Sequence, residues 1–193
     1  MIDNFDKIKA LLDFKSDDDF YHLQILRRKK ENPDLGSNSE VVKTYYVSSL
    51  EYLEYKKQEI KDLCFVTNAR AYINLNKRSY YKTGFSLLEK VSQQMMNKDF
   101  KSIRKAYESV CGNQTPEGKW IIDIDVKNEK FVQIVCNDIR NCSPNKREHK
   151  YIDILETLNG YHIISNPFNV QEFKLIHSNI DIQKNNPTIL YIS

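Results

Sequence analysis

Along Trp120-Ile-Ile-Asp-Ile-Asp-Val126 the chain follows a period-two pattern. Read as a strand, it turns Trp120, Ile122, Ile124 and Val126 to one face and Asp123 and Asp125 to the other. Before it, Phe5, Ile8, Leu11 and Leu12 fall at helical spacing and predict a short helix over residues 3–14. Phe20 to Leu26 reads as a strand ending in the basic run Arg27-Arg-Lys-Lys30, which is either a solvated strand end or a phosphate contact. Pro33, Gly36 and Asn38 mark a loop over residues 31–39. Val41 to Val47 predicts a second strand, and Ser48 or Ser49 the cap of a helix reaching Cys64 or Phe65. Ala69 to Leu75 alternates again, with Arg70, Tyr72, Asn74 and Asn76 on its polar side and Lys77-Arg78 beyond. That side is either a wet sheet face or a surface turned to a nucleotide.

The periodicity predicts two helices over residues 84–110, a turn-rich link over residues 112–118, and a helix from Phe131 to Ile139. Two β-rich segments flank Asn159-Gly160, a strong hairpin signal because both central residues of a type I′ turn need positive φ. His162 lies just past that turn. A short helix over residues 169–176, the Asn179-Ile-Asp181 segment and a strand from Pro187 to Ile192 complete the chain. The order predicts an α+β fold, an antiparallel sheet with helices on one side, in one domain of 193 residues.

Composition changes this picture little. Charged residues are 28% and apolar ones 40%, as in an ordinary globular domain, and the net charge of +3 permits a basic patch without demanding a nucleic-acid partner. Twelve Tyr and nine Phe fill cores but can also stack on bases. No apolar run reaches the roughly 20 residues of a membrane helix. The N-terminus has no basic and apolar signal regions, so a cytoplasmic protein with reduced cysteines and no membrane association is expected. Phosphate-binding Gly-rich loops, Rossmann glycine motifs and Gly-x-Ser-x-Gly elbows do not occur.

The chemistry rests on carboxylates. Two aspartates one strand-repeat apart offer hard oxygen ligands to Mg²⁺ or Mn²⁺; the plain alternative is a sheet with one hydrated face. The order Ile121-Ile-Asp-Ile-Asp125, Asn159-Gly-Tyr-His162, Ile180-Asp181 resembles the three motifs of the archaeo-eukaryotic primase superfamily, over residues 69 to 193. Asn159 stands where that family has a small residue, and Lys184 and Tyr191 stand near the last strand. The resemblance implies a primase–polymerase-like fold, with an N-terminal α/β half (about residues 1–112) packed on an RRM-like antiparallel sheet (about 113–193). It implies that Asp123, Asp125 and Asp181 are catalytic and bind two Mg²⁺ or Mn²⁺ ions. His162 would contact the phosphates of a nucleotide triphosphate, with Arg70, Lys77 and Arg78 as further phosphate contacts. The activity implied is primer synthesis or extension on a single-stranded DNA or RNA template, with a separate helicase or replication protein as partner. A non-catalytic single-strand-binding module and a metal-dependent phosphodiesterase are the alternatives. Some primases carry zinc between the first two motifs. Cys136, Cys142 and His149, with Cys111 as a fourth ligand, could serve here, or the thiols are unligated.

Overall fold

The computed structural model describes residues 1–36, 38–114, 118–144 and 150–193. In chain order the elements are β1 (Ile2–Asp3), α1 (Phe5–Leu11), β2 (Asp19–Arg27), β3 (Glu40–Val47), α2 (Leu50–Thr67), β4 (Arg70–Ile73), β5 (Arg78–Ser79) and α3 (Tyr80–Met96). A 3₁₀ turn (Ile103–Lys105) leads into α4 (Ala106–Asn113). Then follow β6 (Trp120–Ile124), α5 (Glu129–Asn141), β7 (Tyr151–Glu156), β8 (Tyr161–Ser165), α6 (Val170–Ile176), β9 (Asp181–Gln183) and β10 (Thr188–Ile192).

Local chemistry accounts for the boundaries. Ser49 caps α2 by accepting from the Tyr52 N–H at 3.0 Å, and Asn68 ends it in the left-handed region at φ 48°. Asn128 caps α5 in the same way, accepting from Phe131 N–H at 3.1 Å. The buried stripe Val132, Val135, Cys136 and Ile139 repeats at three and four residues, so α5 lays one face on a sheet. Asn169 caps α6, which buries Phe173.

The strands form two antiparallel sheets. The first has the order β1-β10-β4-β2-β3, with β5 paired to one end of β2. The second has the order β7-β8-β6-β9. Its connectivity, β6-α5-β7-β8-α6-β9, is a split β-α-β arrangement with the two crossover helices on one face. The last strand leaves this unit and inserts between β1 and β4 of the first sheet. The two halves expected from sequence are therefore not consecutive pieces of chain, because Thr188–Ile192 belongs to the first sheet.

Two cores result. One joins α1, α2 and the inner face of the first sheet to Ile121, Leu155 and Ile164 of the second. The other lies between the opposite face of the second sheet and α5 and α6, around Ile122, Ile124, Ile163, Val135 and Phe173. β6 is thus buried from both sides. The face that carries Asp123 also carries the buried Ile121, so it is no open hydrated sheet face along its whole length. Among the described residues no helix is long and apolar enough to cross a membrane.

Candidate functional site

Strand register builds the site. Asp123 on β6 stands directly opposite His162 on β8 and, on its other side, directly opposite Asp181 on β9. Cross-strand partners point to the same face, so three residues far apart in sequence converge on one spot. His162 Nε2 lies 3.5 Å from Asp123 Oδ1, an ion-pair distance rather than a hydrogen bond. The other ring nitrogen, Nδ1, is 2.8 Å from the Thr188 hydroxyl, which is fully buried on β10. The imidazole is therefore fixed by the first sheet while Nε2 faces the acid.

Gln183, two residues after Asp181 and so on the same face, completes the group. Its amide donates to Asp181 Oδ2 at 3.0 Å and to Asp123 Oδ2 at 3.4 Å. The position between the two carboxylates thus holds the positive end of a dipole. Among the described residues neither Asp125 nor Asp181 is in an ion pair, and Asp123 has only His162. β6 ends at Ile124, so Asp125 lies just beyond the strand and is exposed. No three His, Cys, Asp or Glu side chains among the described residues form a group that could hold a metal ion. The Asp123–Asp181 pair is a two-carboxylate set, which suits a cation such as Mg²⁺ that takes the rest of its oxygen ligands from water and substrate phosphates.

Gly160 shapes the end of this strand. A Cβ there would meet the Ile124 carbonyl oxygen at 1.8 Å and Val126 N at 2.8 Å. The hairpin loop is closed by Thr157 N–H to Gly160 O at 3.0 Å, and Gly160 N–H donates to the Thr157 hydroxyl at 3.0 Å. Neither Asn159 nor Gly160 has positive φ, so the expected type I′ turn does not form.

The three expected phosphate-binding cations are each engaged by other groups of the chain. Arg70 is buried and paired with Glu31 at 2.7 Å. Lys77 pairs with Asp19 at 2.8 Å. Arg78 is 2% exposed and donates to Cys111 O (2.9 Å), Asn76 O (3.1 Å) and Asn185 Oδ1 (2.7 Å). Asn74 and Asn76, expected on an open face, turn inward past the end of β4. Asn76 donates to Lys119 O and Lys184 O and accepts from Lys119 N–H, so it positions both segments that lead into the acid pair. The basic run is half neutralised: Arg27 pairs with Asp34 and Glu40, and Arg28 with Glu31, while Lys29 and Lys30 are exposed.

The cysteines divide between cores. Cys136 and Cys142 lie in the core of the second sheet, and Cys111 lies on α4 beside Arg78. All four, with Cys64, are buried and outside any disulfide, and burial pushes the Cys111 and Cys136 thiols up to about 11, away from the reactive thiolate. His149 lies outside the described residues.

Sequence reasoning missed Gln183 and Thr188. Gln183 was legible as Asp181 plus two on a strand. Thr188 was not, because its contact with His162 crosses from one sheet to the other. A second polar site was missed as well. Glu108 on α4 accepts from the Tyr46 hydroxyl at 2.6 Å and lies 3.1 Å from His22 Nε2, and burial lowers the His22 pKa. Both line a cavity of about 210 Å³ with Gln24, Tyr72, Asn74 and Asn185. No family model, no curated protein and no solved structure gives a significant match to this chain.

Proposed function

We propose that the chain is a metal-dependent nucleotidyltransferase of the primase–polymerase type, acting on nucleotide triphosphates and a single-stranded template. The observation that carries this reading is the register of Asp123 between His162 and Asp181. The split β-α-β unit with helices on one face supports it as an RRM-like sheet packed on a second α/β layer. Asp123 and Asp181 would hold Mg²⁺ or Mn²⁺, with Asp125 at the strand end as the nearest further carboxylate in the chain. A bound cation would lower the pKa of a primer 3′-hydroxyl and offset charge on the departing pyrophosphate.

The remaining roles belong to the chain itself. Gln183 orients both carboxylates. Thr188 fixes the imidazole so that His162 Nε2 can meet a phosphate oxygen. Arg70, Lys77 and Arg78 act in the fold rather than on phosphate, and the Lys184 ammonium lies over the Trp120 ring, on the face of β6 opposite Asp123.

The test is nucleotide incorporation on a primed and an unprimed single-stranded DNA with Mn²⁺. The expected result is incorporation by the wild type and none by Asp123→Asn with Asp181→Asn. Strand cleavage without incorporation would make the protein a phosphodiesterase. Single-strand binding that ignores metal and nucleotide would make it a binding module.

A further inference from the structure

The first sheet carries a polar site on the face turned away from its core. On β2, Leu23 and Ile25 point into that core, so His22 and Gln24 point to the opposite face. α4 meets the sheet there: Glu108 lies 3.1 Å from His22 Nε2 and accepts from the Tyr46 hydroxyl at 2.6 Å. The cavity of about 210 Å³ between helix and sheet is lined by His22, Gln24 and Glu108 together with Tyr72, Arg78 and Pro187. Asp123, Asp181 and His162 do not line it.

Two opposite charges border this space without meeting. Arg78 is buried, yet no carboxylate among the described residues lies within ion-pair distance of it. Its acceptors are the neutral oxygens of Cys111, Asn76 and Asn185, which leaves two of the five guanidinium N–H groups. Glu108 also has only neutral partners. Burial, partly offset by Glu108, holds the His22 pKa below its ordinary value, so the ring is neutral at pH 7. Nε2 then carries the proton that faces the Glu108 carboxylate, and Nδ1 is a bare acceptor. The Gln24 amide and the Tyr72 hydroxyl make no hydrogen bond to another described residue. Arg78 rests on the Cys111 carbonyl, three residues past Glu108, so the two charges stand about 4.5 Å apart along the axis of α4.

We infer that this cavity binds a guanine base. An inorganic anion would be repelled by Glu108 and a metal cation by Arg78, so the site suits a neutral ligand with a donor edge and an acceptor edge. Guanine has both: O6 and N7 are paired acceptors, and N1–H and the N2 amino group are paired donors beside them. Arg78 donates to the first edge with its two remaining N–H groups. Glu108 accepts from the second with the lone pairs that Tyr46 and His22 leave over. Gln24 and Tyr72 supply further donors and acceptors. Adenine would turn its bare N1 toward the carboxylate, and a pyrimidine would leave part of the space unfilled. The volume is the share of about seven water molecules, enough for one bicyclic ring. Tyr72 and Pro187 give that ring apolar surface. Guanine binding here needs neither the acid pair nor a metal, and the base can come from a free nucleotide or from a strand.

The test is calorimetric titration of the full chain, in EDTA, with the monophosphates of guanosine, adenosine, cytidine and uridine. A second arm compares oligo(dT) carrying one central dG with oligo(dT) alone. The guanine ligand should bind at least about tenfold more tightly in one arm or both. A preference in the first arm alone assigns the cavity to a free nucleotide, and one in the second alone to a strand. Gln24→Ala, whose amide has no hydrogen bond within the chain to lose, should weaken guanine binding at least about tenfold, and so should Glu108→Gln. Asp123→Asn with Asp181→Asn should bind guanine as the wild type does. No guanine preference in either arm would overturn the inference. So would a preference that survives both Gln24→Ala and Glu108→Gln, or one that is lost with the acid pair.

Discussion

Gly160 lies against the backbone of Ile124, and a single added carbon would stand 1.8 Å from that residue's carbonyl oxygen. The hairpin of β7 and β8 and the end of the acid-bearing strand are therefore in backbone contact. Gly160→Ala must push the two apart. The expected cost is about 3 kcal/mol, at the upper end for overpacking a tight site, because the obstacle is backbone that no rotamer change can move. Urea unfolding measures it. A loss within ~0.5 kcal/mol would show that the contact relaxes freely.

His162 and Thr188 join the two sheets through one hydrogen bond. Thr188→Val keeps the shape and removes the hydroxyl, so stability should fall by about 1 kcal/mol. If the imidazole serves phosphate, incorporation should fall at least about tenfold, mainly through KM for the nucleotide, because the ring is then free to turn. An unchanged KM alongside the small stability loss would assign the bond to the fold alone.

Arg78 behaves as a structural residue. Arg78→Met leaves Cys111 O, Asn76 O and Asn185 Oδ1 without their donor, which should cost about 2–4 kcal/mol. The drop in unfolding midpoint checks this. Well below that midpoint the KM for nucleotide should be unchanged, and a selective rise in KM would return Arg78 to the phosphate-binding role that its sequence context implies.

Glu59 on α2 supplies an acid-sensitive tie. Lys43 first, then Lys56 and the Tyr45 hydroxyl, hold its carboxyl down at about 2. With a folded value below the ordinary 4.5, the stabilisation is complete above pH 4.5 and is lost as pH falls through about 2. The group is partly exposed, so Glu59→Gln should cost only about 1 kcal/mol at pH 7. Denaturation of both proteins across pH 2–7 should show this difference shrinking in acid. A difference that grew as pH fell would have the wrong sign for this linkage.

Patterning exposed much of this in the sequence, and its failures have physical causes. The alternation from Trp120 gives the strand but not its end. Val126 has lost its core, and the chain turns at Asp125 toward the Asn128 cap of α5. Asn159-Gly160 marks the hairpin for a reason other than the expected one, since the glycine serves close approach to Ile124 and not a positive φ. A polar face read from Arg70 to Asn76 fails because β4 stops at Ile73, and the asparagines beyond it turn inward to satisfy buried backbone. Motif order predicts that Asp123, Asp125, Asp181 and His162 gather; the strand register brings Asp123, His162 and Asp181 together while Asp125 lies beyond the strand, and the Gln183 and Thr188 contacts depend on pairing and inter-sheet packing that no local pattern encodes.

The site itself is tested most directly by locating Mn²⁺ in a crystal of the protein soaked with the metal and a nucleotide triphosphate, from its anomalous scattering. The expected result is a peak ligated by the carboxylates of Asp123 and Asp181, with the triphosphate reaching toward His162 Nε2. A metal–nucleotide complex bound away from those strands, with the Gln183 amide still between the two acids, would contradict it.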